Sequence, residues 1–199
     1  MKRLPLVFLL VFTALPVMAE SPNLVVEEAA ALLASQLSGR EDELAADKPA
    51  LYSTIDDILL PRFDRVYSAQ LVLGKHWRKA NNEQRQRFID AFYGSLLRRY
   101  AEGVLEYDQD KVQILPFRGD ASKSRTMVRS FVLLDDGSKV PVNYGLVKRE
   151  NGWLLFDVTI EGVSYIRNYR AEIDSEVRAT SLEAVIERLE NENSTDTDG

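Results

Sequence analysis

The side chains in this chain that could do chemistry are few, and their spacing argues against most of what they could do. His76 is the single histidine among 199 residues, and there is no cysteine. Without cysteine there is no thiol nucleophile and no thiolate metal site. One histidine cannot build a histidine-rich metal centre, and His76 stands in no H-E-x-x-H context. It would have to act as a solitary base, or as one ligand among carboxylates; the plainer reading is a surface or packing residue beside Trp77. A serine hydrolase would need His76 in register with a serine such as Ser53, Ser95 or Ser164, and nothing in the sequence sets that register. No G-x-S-x-G elbow and no phosphate-binding glycine loop occurs. Asp56-Asp57 and Asp135-Asp136 are acidic pairs of the kind that hold a metal or flank a glycosidic bond. The first falls at an expected helix start and the second in a turn, where aspartate has local reasons to be. Catalysis is therefore the weaker reading, and an exported hydrolase using His76 or a carboxylate is kept as the alternative.

The elements that would have to position such groups begin with an amino-terminal leader. Met1-Lys2-Arg3 is basic, Leu4–Leu15 is apolar apart from Pro5 and Thr13, and Pro16-Val17-Met18-Ala19 offers small residues for cleavage after Ala19. The apolar run is shorter than the roughly 20 residues a spanning helix needs. The sequence therefore predicts a signal peptide over 1–19 and an exported, soluble product. Losing Lys2 and Arg3 takes the net charge from −6 to −8. Nucleic-acid binding leans on phosphate neutralisation by Lys and Arg, so an acidic chain is a poor candidate for it, and for bulk-charge adhesion to an anionic membrane. With no disulfide available, stability must come from burial, and about 180 residues suffice for one core. Residues 20–190 are expected to form a single domain, with Asn191–Gly199 a disordered acidic tail.

Up to about residue 109 the pattern is helical. Leu24, Val25, Ala29, Leu32, Leu33 and Leu37 recur near the 3.6 period, and Gly39 stops that helix. Glu41–Asp47 is a charged linker, partly helical. Ser53-x-x-Asp56 opens a short helix that Pro61 limits, and Asp64 caps the next one before Gly74. The longest helix starts at Asn81 or Asn82. Phe88, Phe92, Leu96, Tyr100 and Val104 fall every fourth residue along it. From Lys111 the period becomes two, and Val112–Phe117, Arg125–Leu134, Lys139–Val147 and Trp153–Ile160 read as four strands. Asp135–Ser138 and Glu150-Asn151-Gly152 join neighbours as hairpins. Ser164–Arg178 and Leu182–Leu189 close the chain as helices, the latter with Thr180 and Glu183 as a capping box. The fold class is α+β: a curved four-stranded antiparallel sheet packed against a mainly helical N-terminal half and the closing helices, enclosing an apolar cavity.

Three strings are more distinctive than the pattern. Trp153–Arg170 reads WLLFDVTIEGVSYIRNYR, of the form DV-x-IEGVS-x-x-x-NYR; Leu59–Asp64 reads LLPRFD; and Leu73–Arg78 reads LGKHWR, followed by Glu83-Gln84-Arg85 and Phe88. In order, spacing and length they resemble the MlaC (toluene-tolerance) family of periplasmic phospholipid-binding proteins. The resemblance implies a fold in which sheet and helices clasp acyl chains in a deep cavity, with bound phospholipid as ligand and no other cofactor. It also implies a carrier that shuttles phospholipid between an outer-membrane lipoprotein–porin complex and an inner-membrane ABC transporter complex. That transporter carries a membrane-anchored subunit of the substrate-binding type, and the traffic maintains outer-membrane lipid asymmetry.

The residues themselves allow a ligand or an ordinary core. The sheet is rich in medium-sized β-branched side chains, among them Val128, Val132, Val140 and Val142, which on a concave face leave volume unfilled. The expected lining is Val128, Val132, Val142, Tyr144 and Leu146, opposed by Leu73, Phe92, Leu96 and Tyr100. Burying acyl CH2 groups is worth about 0.8 kcal/mol each, so two tails of roughly 30 methylenes gain about 20 kcal/mol or more over water. A bilayer offers nearly the same gain, so exchange between membrane and protein lies close to balance. Arg62, Lys75, Arg78 or Asn143 could meet a phosphate at the rim. The basic run Arg78–Arg87 and the pair Arg98-Arg99 could dock acidic partners. An interaction module with a plain core is the remaining alternative.

Overall fold

Pro22 in the first turn supplies a φ suited to helix initiation, and α1 runs Pro22–Leu37 in a computed structural model that describes residues 21–106 and 108–195. The expected leader over 1–19 lies outside those residues. Gly39, at φ +76°, takes the left-handed turn after α1 that the sequence assigned to it. The charged linker is helical over Glu41–Ala46 (α2). Helix α3 spans Lys48–Leu59 with Asp47 as its cap and a proline in its first turn. Ser53 and Asp56 therefore lie inside that helix rather than opening it. Asp47 followed by Pro49 is the stronger start signal, because it both caps and pre-sets φ. Helix α4 spans Arg65–Leu73, with the Asp64 carboxylate accepting from Tyr67 N–H. Helix α5 spans Asn82–Leu105 and opens on a reciprocal capping box between Asn81 and Gln84.

The sheet has five strands, not four, in the simple order β1-β2-β3-β4-β5, all antiparallel. They are β1 Val112–Ile114, β2 Arg125–Leu133, β3 Lys139–Arg149, β4 Gly152–Ile160 and β5 Val163–Ser164. Strand β1 is half its expected length: its last rung is Leu115 N–H to the Arg129 carbonyl, and the ring of Pro116 fixes φ where the pairing stops. The added β5 comes from a two-residue turn in which Glu161 (φ +50°) and Gly162 (φ +83°) both adopt positive φ, as a tight hairpin requires. A register shift between Gly145 and Leu146 marks a bulge in the β3–β4 pairing, the kind of irregularity that bends a strand.

Helices α6 (Tyr165–Ala179) and α7 (Leu182–Thr195) close the chain. The cap of α7 is Ser181, whose hydroxyl accepts from Ala184 N–H; Thr180 instead bonds back to the Glu176 carbonyl. Residues 191–195 continue α7, so the polar tail does not begin at Asn191. Arg188 pairs with Glu192 one turn on, and the Asn193 amide donates to the Ala91 carbonyl of α5. Helix α7 is also clasped to α5 by Arg87, which pairs with Glu183 and Glu190, and to α6 by Arg188 with Glu176.

Burial falls into three clusters rather than one. Helices α4–α7 share a core that includes Leu73, Phe88, Phe92, Tyr169, Ile173 and Ile186. Val25 and Val26 of α1 seal Val128, Leu146, Trp153 and Leu155 on the sheet. The end of α1 joins α2, α3 and α5 through Leu37, Leu44, Leu51, Ile55 and Ala101. Domains of this size usually hold one contiguous core with small satellites.

Candidate functional site

Cross-strand partners place Val128 opposite Tyr144, and Val142 opposite both Ser130 and Ile160. Because the side-chain period along a strand is two, Val128, Val132, Val142, Tyr144 and Leu146 share one face of the sheet, joined there by Val158 and Ile160. That face divides along its length. Toward the β3–β4 turn, α1 seals it: Val128 and Leu146 are fully buried. Toward the β2–β3 turn, Val132 and Ile160 are only half-buried, beside the buried Ser130 and Val142; Tyr144 and Val158, level with Val128, are half-buried at the boundary, Tyr144 against the sealed cluster. The main neighbours of α5 are α2, α3, α4 and α7, with no strand among them. The long helix and the open half of the sheet face are therefore not packed on each other.

The four helix residues expected opposite the sheet separate. Leu73 and Phe92 sit in the helical core, where the Phe92 ring stacks on Phe88 at 5.5 Å and meets the edge of Tyr169 at 5.3 Å. Leu96 is half-buried beside them. Tyr100 is 38 % exposed and belongs to a group the sequence did not single out. Its hydroxyl lies 2.9 Å from that of Tyr169, its ring 5.4 Å from Tyr165, and Arg99 reaches the Tyr169 hydroxyl at 3.3 Å. Burial, then the Tyr169 hydrogen bond, pushes the Tyr100 hydroxyl up to about 12, so it stays neutral. Tyr165 and Tyr169 lie four apart in α6, and that i, i+4 spacing was the signal for one tyrosine face. Tyr144 is shifted upward by burial too.

The strings that stand out in the sequence are joints between elements. Asp157 on β4 accepts from the Ser164 hydroxyl (2.6 Å) and Ile166 N–H (3.1 Å), while the Ser164 hydroxyl oxygen accepts from Arg167 N–H (3.2 Å). This locks the strand–turn–helix passage that carries Tyr165 and Tyr169. Asp64 N–H donates to the Leu155 carbonyl and its carboxylate pairs with Arg149, tying the start of α4 to the sheet. Gly74 has φ +51°, and a Cβ there would stand 2.9 Å from the Arg170 guanidinium. Next to it His76, buried, puts Nε2 2.7 Å from Asp174 Oδ1; Lys75 and Arg178 reach the same carboxylate at 2.8 and 3.0 Å.

His76 is thus committed to a carboxylate on α6, and no serine is among its partners. Ser53 is exposed, Ser95 bonds the Phe92 carbonyl, and Ser164 belongs to the α6 joint. Asp56 accepts from the Tyr93 hydroxyl, and Asp135 pairs with Lys111. No group of three or more His, Asp or Glu side chains suited to a metal ion occurs among the described residues. The cations considered for a phosphate are mostly engaged: Lys75 with Asp174, and Arg62 with the Ile58 carbonyl and Glu28. Asn143 lies on the opposite face of the sheet, and Arg78 is exposed. Arg85 stacks on Trp77, Arg87 holds α7, and Arg98 lies over Tyr52.

Lys75, His76 and Arg178 hold the Asp174 carboxyl well below its ordinary value, at about 2. A carboxyl depressed on folding adds stability that is fully present above its unfolded value near 3.8 and is lost as pH falls toward 2. Melting temperature followed between pH 5 and 2 should therefore fall less steeply in Asp174→Asn than in the parent; parallel curves would remove this cluster from the acid response.

Two surface concavities lie elsewhere. One of about 570 Å3 sits against Lys148–Asn151 and Leu154, and one of about 350 Å3 lies between Leu115–Gly119 and Thr126, Met127 and Arg129. Neither is lined by any of the nine expected residues. No helix among the described residues is long and apolar enough to cross a membrane.

In sequence, the chain is 30 % identical over 171 residues to the toluene tolerance protein ttg2D of Pseudomonas putida, an alignment covering 85 % of this chain and 79 % of that one. It is 24 % identical over 151 residues to the intermembrane phospholipid transport system binding protein MlaC of Haemophilus influenzae, covering 74 % and 71 %. In structure, the fold matches a phospholipid-binding protein from Ralstonia solanacearum, solved with a phospholipid bound, at a TM-score of 0.75 and 24 % identity, over 86 % of this chain and 96 % of that one. The MlaC protein family model matches residues 27–191, so the chain belongs to the MlaC family.

Proposed function

We propose that this protein is a periplasmic phospholipid carrier. It holds the acyl chains of a diacyl phospholipid between the open half of the sheet face and the helices, and performs no covalent chemistry. The observation that carries the reading is the part of that face where Val132, Val158 and Ile160 stay half-buried while α5 packs on helices instead. The lining we assign is Val132, Val142 and Tyr144 from the sheet, with Leu96 and Tyr100 from α5. Val128 and Leu146 form the sealed end, and Leu73 and Phe92 support α5 from behind. Tyr100 and Tyr165, backed by the buried Tyr169, form the rim, where their hydroxyls and the Arg99 guanidinium can face a lipid head group without binding it tightly. Membership of the MlaC family and the lipid-bound structural relative support this reading. In the cell the carrier moves lipid between an outer-membrane lipoprotein–porin complex and an inner-membrane ABC transporter complex with a membrane-anchored substrate-binding-type subunit, and so maintains outer-membrane lipid asymmetry.

Native mass spectrometry of the exported chain, purified without detergent, tests it. A stoichiometric adduct that fragments to diacyl phospholipid is expected. A clean protein mass, with no uptake from phospholipid vesicles, would return these residues to an ordinary core.

A further inference from the structure

The edge of the sheet beside β1 is incomplete. β2 runs Arg125–Leu133, whereas β1 pairs only with Ser130–Val132, and Leu115 N–H donating to the Arg129 carbonyl is the last rung. Pro116 follows, and Phe117–Gly119 run beside β2 without a backbone rung to it, a Cβ on Gly119 standing 2.7 Å from the Thr126 hydroxyl oxygen. Arg125–Val128 therefore have a strand neighbour on the β3 side only. Successive residues of an antiparallel strand turn their N–H and C=O to opposite edges. Arg129 bonds toward β1, so Met127, two residues away, aims its backbone groups at the same, open edge. No backbone rung from the β1 side meets it among the described residues.

Beside this edge lies the groove of about 350 Å3, within the range of about 300–1,000 Å3 typical of ligand clefts. Leu115, Pro116, Phe117 and Met127 make its wall apolar, and Met127 is 46 % exposed. Arg118 and Arg129 complete the lining, both exposed and in no ion pair among the described residues. Positive charge on a strand edge discourages pairing with a second copy of the same edge. That purpose needs no apolar groove. A free strand edge, an apolar slot and two unengaged guanidiniums on an acidic chain together select an occupant of opposite charge in extended conformation.

We propose that this groove and the free edge of β2 receive an extended segment of a partner protein. The segment adds main-chain hydrogen bonds at Met127, places one apolar side chain in the slot, and meets Arg118 and Arg129 with carboxylates. The assignment is independent of the lipid reading, since the groove shares no residue with the proposed lining.

The test is amide NMR of the isotopically labelled chain as purified, with or without bound lipid, titrated with a short end-capped peptide of alternating glutamate and valine. A lysine–valine peptide and sodium dodecanoate serve as comparison probes. The glutamate peptide should shift residues 115–119 and 125–129, and slow exchange of the Met127 amide at least tenfold, with any lipid adduct unchanged by mass. Arg118→Glu combined with Arg129→Glu should weaken binding at least tenfold without altering the melting temperature, because both side chains are exposed and unpaired. Met127→Pro, which removes the edge N–H, should weaken it independently. No shift at millimolar peptide, equal binding of the lysine peptide, shifts centred elsewhere, or response to dodecanoate alone would each overturn the proposal. The last outcome would assign the groove to an amphiphile.

Discussion

The Val132→Trp protein should purify folded and without lipid. Val132 lies on the assigned lining face, opposite Val112 of β1 and Val140 of β3, and is half-buried with no helix sealing it. An indole there projects into the space assigned to acyl chain, but meets little protein. Substitutions outside a sealed core usually stay within about 0.5 kcal/mol, or about 2 °C in melting temperature for a chain of this size. Bound phospholipid per protein should fall at least tenfold. Four residues back on the same face, Val128 is fully buried under Val25, Val26 and Trp153. The same replacement there overpacks a closed core at a cost of about 1–3 kcal/mol, a fall of roughly 2–12 °C. The pair thus separates lining from core on one strand with one chemical change. If Val132→Trp keeps its lipid, or loses it only by melting as Val128→Trp does, the lining is wrongly placed.

That test exists because the shared face of the five strand residues was legible in the sequence, whereas the placing of the four helix residues was not. The five strand residues share a face because strand period is fixed at two and the turn signals at Asp135–Ser138 and Glu150–Gly152 set the register. The helix residues had no such constraint. Phe88, Phe92, Leu96, Tyr100 and Val104 look like one stripe when counted in fours. With 3.6 residues per turn, each step of four drifts about 40°, so Phe88 and Val104 lie about 160° apart. The structure follows the drift: Phe88 and Phe92 enter the core with α6 and α7, whereas Leu97, Ala101 and Val104 face the cluster of α1, α2 and α3. His76 reads in the sequence as a surface or packing residue beside Trp77; its pairing with Asp174, 98 residues away, was not legible. The family resemblance was legible for a related reason. Its strings are joints, where glycine conformation, a capping hydroxyl and a paired carboxylate leave few alternatives, while a greasy lining tolerates many.

The tightest of those joints carries the second large effect. Asp157→Ala should destabilise the protein by about 2–4 kcal/mol, since it removes two hydrogen bonds to a carboxylate and a negative charge at the start of α6. At about 2–4 °C per kcal/mol, the melting temperature falls by roughly 4–16 °C. Ser164→Ala alone removes a cap worth about 1 kcal/mol. The double variant should cost clearly less than the sum, because the serine hydroxyl both donates to Asp157 and accepts from Arg167. A merely stabilising pair would end there. This one also sets where Tyr165 and Tyr169 meet Tyr100, so the Asp157→Ala protein, held well below its melting point, should release its lipid to acceptor vesicles faster than the parent. Val185→Ala in α7 is the matched control: Val185 is fully buried in the helical core, away from the turn into α6, and its truncation also lowers stability. Faster release from Asp157→Ala alone ties the joint to the rim, whereas equal release from both would reduce Asp157 to a structural residue.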